Sequence, residues 1–135
     1  MFFTAVCPVR AAAPTTEATL ASLSAQTAVA LDDARRRDPE ARVFRADNLG
    51  RIVAKALATS RFEIAEAIAE VASRIYPDSM PLLDARSEAR EGRGDRDGAT
   101  KLAARCAMSS PGNDWRASAA MARCRERLGR LRPGQ

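Results

Sequence analysis

Two stretches, SRFEIAEAIAEVASRIYP (Ser60–Pro77) and GDRDGATKLAARCAMSSP (Gly94–Pro111), lie 34 residues apart and follow one pattern. Ala65 falls on Ala99, Ala69 on Ala103 and Pro77 on Pro111. Ser60 meets Gly94, Glu63 meets Asp97, Ile68 meets Leu102 and Ala72 meets Cys106. Only three of the 18 pairs are identical, but they sit on the close-packed face and at the terminator, where a repeat is most constrained. Small residues let paired helices approach, and proline stops the second helix before the next pair begins.

Working outward, the spacing of apolar residues predicts six helices over 16–37, 47–59, 61–75, 79–91, 95–108 and 113–131. Leu20, Leu23, Thr27, Ala30, Leu31 and Ala34 form the stripe of the first, and Leu49, Ile52, Val53, Ala56 and Leu57 that of the second. Ser60 and Glu63 read as a capping box. Asp47, Ser79 (or Asp78), Asp95 and Asn113 read as caps, and Gly92 and Gly94 as left-handed helix ends. The connections are mostly short, so neighbouring helices are expected antiparallel, in one domain over 15–132. Residues 1–14 read as a disordered leader or the remnant of a signal segment.

A 34-residue helix–turn–helix unit of this kind resembles the tetratricopeptide repeat family. The resemblance covers about Asp47–Pro111 and rests on Leu49, Ile52, Val53, Ala65, Ala69, Ala72, Pro77, Gly94, Ala99, Ala103 and Pro111. It departs where the family's aromatic residues are Leu49 and Ala56, and where Leu-Gly-x-x-Tyr becomes Arg86-Ser87-x-x-Arg90. It implies an all-α, right-handed superhelix of helical hairpins that binds another polypeptide on its concave face. The residues it places there are Asp47, Arg51 and Ala54, then Asp84, Glu88 and Glu91, then Ser118, Ala122 and Arg125. The segment from Asp38-Pro39 through Ser79 also looks like helical-repeat tails of some bacterial serine hydrolases, which would make the chain a stand-alone accessory domain. A simple six-helix bundle is the structural alternative.

Composition agrees with helices. Alanine, the best helix former, contributes 29 of the 135 residues, and aromatics only 4%. The sequence has no histidine, so its nine serines from Ser22 to Ser118 lack the usual base, and the commonest zinc ligand is missing. Gly92-Arg93-Gly94 has neither a preceding strand nor a following P-loop lysine. The Glu66/Glu70 pair reads as a solvated helix face. We therefore expect no catalysis, no cofactor and no metal. Cys7, Cys106 and Cys124 are odd in number and widely spaced; the latter two read as small buried hydrophobes rather than a disulfide.

The net charge of +5 arises at the C-terminal end, because residues 1–114 carry 16 basic and 16 acidic groups. Arg116, Arg123, Arg127 and Arg130 form one stripe of the last helix, with Arg125 and Arg132 towards its other side. This stripe is a candidate surface for nucleic acid or anionic lipid. Asp84, Glu88 and Glu91, spaced i, i+4, i+7, form an acidic line that would suit a basic peptide. The expected function is thus protein binding, with self-association allowed; the basic last helix supplies the alternative. A cytoplasmic location is expected, with export as the alternative.

Overall fold

The computed structural model describes residues 16–132, with side chains from Ser24 onward. The leader expected over 1–14 lies outside the described residues. Among these the fold is all-α: α1 (Thr16–Arg37), α2 (Ala46–Ala58), α3 (Phe62–Ile75), α4 (Met80–Gly92), α5 (Arg96–Ala107) and α6 (Trp115–Leu131), with a 3₁₀ turn at Arg42–Phe44. No bound departs from expectation by more than two residues. The helices pack mainly in chain order: α2 on α3, α3 on α4, α4 on α5 and α5 on α6. In addition α1 lies along α3, and α4 touches both α2 and α6, so that α2, α4 and α6 form a row.

The turn at Ser60 differs from expectation in an informative way. Ser60 makes no capping box; its φ is +58°, and it is the one non-glycine residue with positive φ among the described residues. The Arg61 amide donates to the Ala56 carbonyl at 2.8 Å and the Ser60 amide to the Leu57 carbonyl at 3.0 Å. These are the two bonds of a helix ending on a left-handed residue. Thirty-four residues later the Asp95 amide donates to Arg90 at 2.9 Å and the Gly94 amide to Glu91 at 3.0 Å, with Gly94 at φ +84°. Ser60 and Gly94 therefore do the same work. Gly92 stays helical; an added Cβ would stand 2.4 Å from the Phe62 ring, so here glycine permits close approach. Ser79 and Asp95 cap as expected, accepting from Leu82 at 3.3 Å and Gly98 at 2.9 Å. Asp47 lies in the first turn of α2 rather than at its cap, and Asp114, not Asn113, caps α6.

Ala65, Ala69, Ala72, Ala99 and Ala103 are all buried, as helix crossings require. Phe44, Leu49, Val53, Ile68 and Leu82 surround the first set in one apolar cluster. Phe44, which belongs to none of the apolar stripes in the sequence, is pinned by the 3₁₀ turn, whose carbonyl at Phe44 accepts from the Tyr76 hydroxyl at 2.7 Å. Ile52 and Ala30 are exposed rather than inward, because the apolar faces of α2 and α1 are narrower than their sequence stripes. The second cluster contains Met80, Leu83, Ala117 and Ala120, together with Cys106 and Cys124. These cysteines are buried as expected but joined by a disulfide, with Cα atoms 6.1 Å apart. Their spacing of 18 spans an antiparallel helix pair, and only the register of α5 on α6 brings them face to face.

Candidate functional site

The row α2, α4, α6 carries the residues expected to line a binding groove. On α2, Asp47, Arg51 and Ala54 are exposed, and Arg51 donates to the Asn48 side chain at 2.7 Å. On α6, Ser118, Ala122 and Arg125 are exposed as well. The central helix behaves differently. Its acidic line faces α6, where it is consumed by arginines.

Asp84 is only 4% exposed. Its carboxylate accepts from Arg123 Nε at 2.6 Å and from Arg127 Nη1 at 2.8 Å. Arg127, itself 5% exposed, also lies 3.7 Å from Glu88 and 3.5 Å from Glu91. Arg130 completes the ladder on Glu91 at 2.8 Å, and this contact raises the Arg130 pKa above its usual value. The cause is geometric: α4 carboxylates at i, i+4, i+7 meet α6 guanidiniums at i, i+4, i+7 in an adjacent helix. Removing two such charges from water costs several kcal/mol per ion unless each is matched, and here each buried group has partners on the facing helix.

The expected basic stripe is therefore largely engaged within the fold. Arg123, Arg127 and Arg130 bind α4, whereas Arg116, which stacks over the exposed Trp115 ring at 4.8 Å, Arg125 and Arg132 stand exposed without an ion pair among the described residues. Arg125 makes no ion pair with the acidic line among the described residues; Arg127 is its central partner.

A second carboxylate, expected on a solvated face, is buried. Glu66 is 3% exposed, not solvated, and both Arg90 and Arg93 donate to it. Arg90 also donates to Asp95 at 2.8 Å. The Arg90 hydrogen bond, followed by that of the Gly98 amide, lowers the Asp95 pKa, while the same Arg90–Asp95 bond raises that of Arg90. The sequence marks Arg90 only as a departure from the family pattern. Nothing local in the sequence names Glu66, 24 residues away, as its partner.

Two large apolar side chains flank the α5–α6 connection in the open, Met108 at 85% and Trp115 at 70% exposure. Among the described residues no group of three metal-ligating side chains converges, and no helix is long and apolar enough to cross a membrane. No protein-family model, curated protein or solved structure matches the chain.

Proposed function

We propose that the chain is a non-catalytic module of tetratricopeptide type that binds another polypeptide. The observation that carries this reading is the equivalence of Ser60 and Gly94, two left-handed helix ends one repeat apart, each followed by a buried alanine pair. A 34-residue unit that repeats its turn and its crossing residues generates a row of leading helices, and such rows are docking surfaces. The exposed Asp47, Arg51 and Ala54 on α2, and Ser118, Ala122 and Arg125 on α6, are the face offered to a partner. Asp84 is buried and Glu91 is paired, so the acidic line that would have favoured basic peptides is not part of this face.

The Cys106–Cys124 disulfide favours an oxidising compartment over the cytoplasm, because buried disulfides are rare where thiols are kept reduced. Export is the location we propose.

Affinity capture with the purified chain, compared with an Ala54→Arg/Ala122→Arg variant, tests the binding reading. Both positions are exposed, so the variant should fold. Selective loss of the captured polypeptide is the expected result. Identical capture by the two chains would remove this face from consideration, and capture of nucleic acid instead would restore the basic-helix alternative.

A further inference from the structure

On the other side of α4 from the ion ladder, α3, α4 and α5 enclose an open cleft of about 310 Å³. Arg86, two residues from both Asp84 and Glu88, projects into its wall from the opposite face of the helix. Arg74 comes from α3 and Arg105 from α5, with Glu70, Ser73 and Pro77 completing the lining. Three guanidiniums thus meet one carboxylate.

Their partners are unequal. Arg74 binds Asp32 of α1 at 2.7 Å, and Glu70 is drawn towards Arg90 at 3.7 Å. Arg86 and Arg105 have no ion pair among the described residues. Moreover, Arg86 Nε and Ser73 Oγ are both buried and lack a hydrogen-bond partner; Arg127 Nε also lacks one, but it lies 3.5 Å from the Glu91 carboxylate, whereas Arg86 has no carboxylate paired with it. Elsewhere this protein matches its buried arginines to carboxylates from a facing helix. Arg86, half-buried with its Nε enclosed and no carboxylate paired with it, departs from that rule, and an orphaned hydroxyl and the exposed Arg105 line the same cleft. A buried donor left without an acceptor is destabilising, more so when it is charged.

We propose that this cleft is a binding site for a phosphate group. A phosphate dianion offsets the local excess of two positive charges, offers acceptors to several forked guanidiniums at once and can take the Ser73 hydroxyl as a further donor. A cleft of this volume, at the small end of ligand sites, also has room for the organic part of a small phosphomonoester. The site lies apart from the α2, α4, α6 face, so it stands whether or not that face binds a polypeptide.

Isothermal titration calorimetry of the full chain with sodium phosphate, glycerol 3-phosphate, glycerol and sodium acetate at equal ionic strength tests it. Phosphate and its ester should bind, and glycerol and acetate should not. Tighter binding of the ester assigns the site to organic phosphates; equal binding assigns it to free phosphate. Arg105→Gln, at an exposed position where circular dichroism should report an unchanged fold, is expected to weaken binding about tenfold or more, the equivalent of one charge-assisted hydrogen bond. Arg86→Gln should do the same. Absence of phosphate binding, equal binding of acetate, or full affinity in the Arg105→Gln variant would overturn the proposal.

Discussion

The two ends of the molecule solve the same packing problem with different materials. Around α2 and α3, Phe44, Leu49, Val53 and Ile68 fill the space between alanine-lined crossings, and burial of apolar area holds the helices. Around α5 and α6 the large residues run out. Ala72 of the first unit is replaced by Cys106, which bonds to Cys124, and Asp84 with Arg127 stands between α4 and α6 where the other end has aliphatics. The comparison teaches that an alanine-rich helical stack needs cross-links where it lacks volume. Covalent and ionic bonds fix register directionally, whereas apolar packing fixes it by shape.

The ion ladder is the most direct place to break this contrast. Arg127→Ala leaves Asp84 buried beside a single remaining partner, and removal of one member of a buried pair costs about 3–5 kcal/mol. Chemical denaturation should show that loss, and Arg127→Met combined with Asp84→Leu should regain most of it. If Arg127→Ala is neutral, the ladder is ornamental and the C-terminal end is held by something else.

Reduction comes next. Opening the Cys106–Cys124 bond, which closes a separation of 18 residues, should cost about 3 kcal/mol. A midpoint unchanged by a phosphine reductant, with thiol labelling proving reduction, would contradict the need for a covalent link.

The helix crossings should behave alike at both ends. Ala65→Leu and Ala99→Leu each overpack a fully buried site and should cost about 1–3 kcal/mol. Ala58 and Ala122, both exposed, are the controls. A large difference between Ala65 and Ala99 would mean that the two units are not equivalent.

The turns differ by one residue type. Ser60→Gly removes the cost of a left-handed Cβ and should stabilise by about 1 kcal/mol, while Gly94→Ser should destabilise by a similar amount. Thermal melts of both variants check the equivalence, and effects of equal sign would disprove it.

The smallest expected effect is acid sensitivity at Asp95. Its folded pKa is lowered, so its contribution is complete above the unfolded value near 4 and is lost as the pH falls through the folded value. Asp95→Asn should therefore flatten the stability profile below about pH 4 while leaving its shape above that range unchanged. A profile identical to that of the parent chain would show that the Arg90 contact carries no linked proton.

The sequence by itself determined what repeats over short range: six helices within two residues of their ends, alanine crossings, caps at Ser79 and Asp95, and the correspondence of Ser60 with Gly94. Those signals are local, because helical periodicity and turn chemistry act over a few residues. The pairing of charges was decided only by tertiary structure. Glu66 and Asp84 look like ordinary solvated carboxylates in the chain, and Arg127 like part of a basic stripe, since composition is blind to which face of a helix meets a neighbour. Cys106 and Cys124 likewise read as isolated thiols until α5 and α6 stand in register. Burial and partner choice depend on contacts 18 to 43 residues apart, and the same side chain is a solubilising charge or an internal cross-link according to which helix it faces.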